Sequence, residues 1–140
     1  MTAQQIALIQ GSWAQIVPIR EQAAALFYET LFDLDPTLRP LFKGDMAEQG
    51  RKLMSVLGVV VGAMARLNEL VPTVQSLGER HATYGVHDTH YDTVGQALLK
   101  TLALGLGPAF TEPVRDAWVA AYVTLAGVMK EAAAAVPRVA

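Results

Sequence analysis

The sequence predicts a single all-α domain spanning residues 1–140, and three observations carry that expectation. Apolar residues recur at a spacing near 3.6, no segment keeps a strict alternation, and caps and prolines cut the pattern into helix-sized pieces. Hydrophobic residues make up 52% of the chain and charged residues 17%. That is apolar for a domain of this size, with surface to spare for a dense core or for wrapping an apolar ligand.

The elements follow in order. Thr2 and Gln5 have capping-box spacing, and Ile6, Ile9, Trp13 and Ile16 then line one face up to Pro18. A second helix is expected from about Arg20 to Phe32, with Ala24, Phe27, Tyr28 and Leu31 inward. Asp35-Pro36 reads as a cap and a first-turn proline, opening a short helix that Pro40 ends. After the polar KGDMA stretch, Leu53, Leu57, Val60, Met64 and Leu67 predict one long helix. Its Gly58 and Gly62, one turn apart, predict a close crossing by another helix. Leu70, Val74, Leu77 and His81 then share a face, and Gly85 is the expected stop. Two further helices are expected, from about His90 to Leu104 and from Thr111 to the C-terminal alanines. On the last, Val114, Trp118, Tyr122, Leu125 and Met129 point inward.

Composition excludes several chemistries. With no cysteine, the chain has no disulfide, iron–sulfur cluster, thiolate-ligated haem, thiol nucleophile or covalent CxxCH haem attachment. A net charge of −2 without a basic stripe argues against nucleic acid as a partner. The opening MTAQQIALIQ is not a secretory signal, and LMSVLGVVVGAMA at 53–65 falls short of the roughly 20 residues that span a bilayer. A cytoplasmic protein that does not enter the membrane is expected.

All three histidines lie between positions 81 and 90. His81 shares the apolar face of its helix. It is therefore either a buried histidine satisfied by backbone groups or an axial metal ligand, a role that imidazole fills more often than any other side chain. A three-histidine zinc site is disfavoured, because Gly85 and Asp88 place a corner between His81 and the other two. His87 and His90 read as solvent-facing or end-of-helix residues.

The stretch LGERHATYGV…HY is similar to the proximal-histidine region of the bacterial single-domain globins and of the haem domain of flavohaemoglobins. LFYETLF at 26–32 resembles their B helix, DPTLRPLF at 35–42 their C helix and corner, and EQGRKLMSVLG at 48–58 their E helix. HYDTVGQALL at 90–99 resembles the G helix and DAWVAAY at 116–122 the H helix. The resemblance covers essentially the whole chain and implies a globin fold, helices A, B, C, E, F, G and H around a haem pocket.

It further implies a non-covalent haem b with His81 on the iron, Phe42 stacked on the porphyrin, and Leu53, Leu57 and Val86 in apolar contact. Tyr28 and Gln49 match the family's distal hydrogen-bond donors, and Lys52 and Arg80 are candidates to pair with the propionates. Tyr91 matches a supporting tyrosine on the proximal side. Its usual glutamate partner is not in register: Ala133 falls at that position, with Glu131 two residues away.

The function this implies is reversible binding of O2, and of NO and CO, at a pentacoordinate iron. NO dioxygenation, which detoxifies NO, is also open to such a pocket. It would require a separate reductase, since these 140 residues hold no flavin or nicotinamide module. The rival reading is a haem-free, globin-like sensory or protein-interaction module. A homodimer through exposed apolar helix faces is a further expectation.

Overall fold

The computed structural model describes residues 1–42, 44–83 and 86–135. Six α-helices account for most of them: α1 (Ala3–Ile16), α2 (Arg20–Leu34), α3 (Met46–Gly62), α4 (Leu67–Thr83), α5 (Asp88–Leu106) and α6 (Glu112–Ala134). Short 3₁₀ segments at Val17–Ile19, Pro36–Leu41, Met64–Arg66 and Gly107–Ala109 supply corners. No strand occurs among the described residues. The all-α expectation holds.

Local chemistry sets most boundaries as expected. Thr2 accepts from the Gln5 amide at 3.1 Å while the Gln5 side chain takes the Thr2 N–H at 3.0 Å, closing the capping box on α1. Asp35 caps the Pro36–Leu41 segment by accepting from the Thr37 amide at 3.0 Å. Pro40 sits inside that segment rather than ending it. The Gly85 stop lies outside the described residues.

Two expectations need correction. The long helix read through Leu67 breaks at Ala63, whose φ of −102° and ψ of 15° leave the helical region. The break follows Gly62, a helix former worse than alanine by about 1 kcal/mol. Met64 and Leu67 therefore belong to the next elements, and the axis bends by 64° into α4. Neither Gly58 nor Gly62 supports a close crossing. A β-carbon at Gly58 would meet Trp13 at an ordinary 3.9 Å, and one at Gly62 would meet nothing within 4 Å. Gly50 takes that role, since a β-carbon there would stand 2.9 Å from the Ala24 Cβ where α3 crosses α2.

The core joins α1, α2, α5 and α6, with Ile9, Ile16, Leu31 and Leu102 fully buried. Burying each such side chain stabilises the fold by about 1.5–3 kcal/mol. Ser12 is buried among them and accepts from the Trp118 indole N–H at 2.9 Å while donating to the Leu8 carbonyl at 2.7 Å. This links α1 to α6 with every polar group satisfied.

The packing of α3 and α4 positions the site. α3 rests on α2 and α1, and α4 rests on α6, but these consecutive helices share no extensive contact. The 64° bend opens a slot between them. No single helix among the described residues is long and apolar enough to cross a membrane.

Candidate functional site

Two facing walls build the site. On the α2–α3 wall, Tyr28 is 8% exposed and its hydroxyl donates to the Gln49 main-chain carbonyl at 3.3 Å. The close approach at Gly50 brings these two helices near enough for that bond. Phe42 meets the Tyr28 ring edge-on at 5.3 Å, and Phe32 stacks on it at 6.1 Å. Burial pushes the Tyr28 hydroxyl up to about 12, so it stays protonated and able to donate at neutral pH. Leu53 and Leu57 are half-buried on the same wall.

The α4 wall carries His81, half-buried and in register with Leu70, Val74 and Leu77. Its Nδ1 lies 2.6 Å from the Leu77 carbonyl oxygen one turn back. A carbonyl only accepts, so Nδ1 carries a proton, as it does in a metal-ligating imidazole bound through Nε2. The Val86 amide donates to the His81 carbonyl at 3.0 Å.

A cleft of about 230 Å³ lies between α3 and α4; of the site residues named from the sequence, Arg80 is on its lining, whereas Tyr28, Gln49, Phe42, Leu53, Leu57 and His81 are not. Val56, Val59 and Val60 of α3 and Leu70, Val74 and Leu77 of α4 make it predominantly apolar. Arg80 is the charged residue on its lining. Lys52 is placed differently: it is well exposed and lies 3.8 Å from Glu48 in an i,i+4 pair on the outer face of α3. The sequence reading missed the contribution of Val56 and Val59. Their signal was exposure without a partner on an otherwise apolar helix, and the helical period does not reveal which stripe faces a gap.

Among the described residues, no hydrogen bond joins the Tyr91 hydroxyl to a carboxylate. Tyr91 is 6% exposed, and its hydroxyl finds no hydrogen-bond partner among the described residues. Burial, reinforced by the neighbouring Asp88 charge, holds that hydroxyl above the ordinary tyrosine range. The Tyr91 carbonyl accepts from the Tyr122 hydroxyl at 2.5 Å, and the Lys130 ammonium lies 5.7 Å from the Tyr91 ring centre. Ala133 is buried, whereas Glu131 is exposed. His87 and His90 occupy the N-terminus of α5, where His90 Nδ1 accepts the His87 amide at 2.9 Å. They are end-of-helix residues, one of the two readings expected of them.

The slot suits a flat apolar macrocycle with one axial nitrogen and peripheral carboxylates. Its walls are two helices without extensive mutual contact, Arg80 stands on its lining, and the next residue on α4, His81, donates from Nδ1 to the Leu77 carbonyl. The residues present fit a haem. An all-helical bundle with such a slot between its third and fourth helices has the globin fold.

Residues 25–129 match the family model described as Globin, and the chain belongs to that family. It is 30% identical to a neuroglobin of Danio rerio over 136 residues, covering 87% of this chain and 86% of that protein. It is 28% identical to the flavohemoprotein of Vibrio cholerae over 135 residues, covering 91% of this chain but 33% of the longer protein. Among solved structures it superposes on the engineered carbene transferase RmaNOD, a candidate nitric oxide dioxygenase from Rhodothermus marinus. There the TM-score is 0.85 and the identity 27%, covering 96% of this chain and 94% of that one.

Proposed function

We propose that this globin binds haem b non-covalently in the α3–α4 slot, with His81 Nε2 on the iron, and takes up O2, NO and CO reversibly on the opposite face. The observation that carries the reading is the 2.6 Å contact from His81 Nδ1 to the Leu77 carbonyl, which fixes the ligating tautomer on a helix lining the slot. A haem held there would supply iron for binding these gases and, with one electron from a separate reductase, the chemistry that converts NO and O2 to nitrate.

The chain's own residues do the rest. Leu53, Leu57, Phe42 and Val86 exclude water and hold the macrocycle by apolar contact. Arg80, on the cleft lining, is better placed than Lys52 to pair with a propionate, because Lys52 lies beside Glu48 on the exposed face. Tyr28 stays protonated and donates toward a ligand that has gained negative charge, and it gives up its bond to Gln49 O to do so. The Gln49 amide supplies a second donor. Leu77 gives His81 a neutral carbonyl acceptor rather than a charged one. That arrangement favours reversible binding over peroxidase-like chemistry.

Titration of the protein with haemin tests this. One equivalent should give a Soret band that shifts on reduction and again with CO. NO consumption under O2 should be sustained only when a reductase is added, and consumption sustained without one would overturn the reductase requirement. A protein that takes up no haemin supports the haem-free module instead.

A further inference from the structure

We propose that Gly78 is a positioning residue that sets where His81 stands over the slot. The inference rests on the reading of His81 as the iron ligand. α4 has one extensive neighbour, α6, and is otherwise flanked by the short Met64–Arg66 turn and the slot. Its placement therefore depends on how closely it approaches α6. At Gly78 that approach is backbone to backbone. A β-carbon there would stand 2.7 Å from the Met129 Cα and 2.9 Å from its carbonyl carbon, and closer still to its carbonyl oxygen. Carbon atoms in ordinary contact are about 3.5–4.0 Å apart, so any side chain at 78 must separate the helices by about 1 Å. The atoms in the way are main chain, so no rotamer change can relieve the clash.

The direction of that shift matters. Successive helical residues are about 100° apart, which places Gly78 about 60° around α4 from His81. Pushing α4 away from Met129 therefore moves His81 largely sideways across the slot, with a smaller component along its bond to a ligand. The Nδ1 contact to Leu77 O lies within α4 and moves with it, so the imidazole keeps its tautomer while its aim changes. Gly78 is buried and has no polar function of its own. Its role is to let α4 sit low on α6.

The test is Gly78→Ala, examined with haem bound. Alanine gains about 1 kcal/mol of helix propensity over glycine, so a variant without a clash would melt higher. The melting temperature should instead fall. The iron–histidine stretching band of the ferrous protein should shift, and haem release should speed up by about tenfold, a loss of about 1.4 kcal/mol. Gly50→Ala, which meets Ala24 Cβ at 2.9 Å on the other wall, is the control: it should lower stability and leave the band in place. If Gly78→Ala does not fold alone, refolding it with excess haemin and a stabilising osmolyte keeps the same readout, and the band must shift. An unmoved band with unchanged haem release in a folded variant would overturn the proposal. Failure of the unmutated protein to bind haem would instead count against the functional reading beneath it.

Discussion

The Tyr28 hydroxyl donates to the main-chain carbonyl of Gln49 across 3.3 Å, joining the two residues that the sequence put forward as distal donors. The bond is long, and it uses the Gln49 backbone rather than its amide. The phenol is therefore held near the slot by a weak neutral partner that a more negative acceptor can displace. A hydrogen bond to a charged group contributes about 1.5–3 kcal/mol, against about 1 kcal/mol for a neutral one.

Tyr28→Phe should accordingly speed O2 dissociation by about tenfold, with a smaller effect on CO, which draws less charge from iron. Stopped-flow displacement of O2 by CO measures this. An unchanged O2 off-rate would remove Tyr28 from the ligand-binding set.

The same residue shapes the alkaline limb of stability. Its folded-state value is raised from 10.0 to about 12, so the folded protein holds the proton more tightly than the unfolded chain. Stability from this group is complete below pH 10 and is lost as pH rises through about 12. A shift of this size corresponds to at most about 2–3 kcal/mol, less after screening by solvent. Denaturant melts between pH 9 and 12 should show a shallower decline in Tyr28→Phe than in the unmutated protein. Tyr122 and Tyr91, also raised by burial, should account for what decline remains.

Ser12→Ala should destabilise the fold without altering the site. It leaves the Trp118 indole N–H, now 2.9 Å from Ser12 Oγ, buried without an acceptor. The cost is about 1–3 kcal/mol, a fall in melting temperature of roughly 5 °C or more. Equal melting temperatures would show that the hydrogen bond contributes little.

The opposite is expected of Tyr91→Phe. It removes a buried hydroxyl with no partner among the described residues, so the haem-free protein should melt at the same temperature or slightly higher. A marked drop in thermal melts of the haem-free protein would mean that the hydroxyl has a structural partner.

These cases separate what was legible in the sequence from what was not. The helical period put Ile9, Ile16, Ala24, Phe27, Tyr28, Leu31, Val114 and Trp118 on faces that are buried, though Ile6, Trp13, Tyr122, Leu125 and Met129 are only half-buried. It also put His81 on the face of Leu70, Val74 and Leu77, because a repeating apolar stripe maps onto a packed face. Ser12 was missed although it stands between Ile9 and Ile16 on that stripe, since a serine reads as polar until its partner on α6 is in view. The break at Ala63 was hidden because the apolar spacing runs through it unbroken into Leu67. Gly78 and Gly50 were not recognised as contacts, because nothing local marks which glycine meets a neighbouring backbone. The open slot was equally invisible: it arises from a bend between two helices, and no residue pattern within either one records it.

The most direct measurement of the central claim is the resonance Raman spectrum of the ferrous, haem-loaded protein beside that of His81→Gly. The unmutated protein should show an iron–histidine stretching band. The variant should lose it and regain a related band when imidazole is added to fill the vacated volume. A His81→Gly protein that keeps the original band without imidazole would place the axial ligand elsewhere and contradict the account.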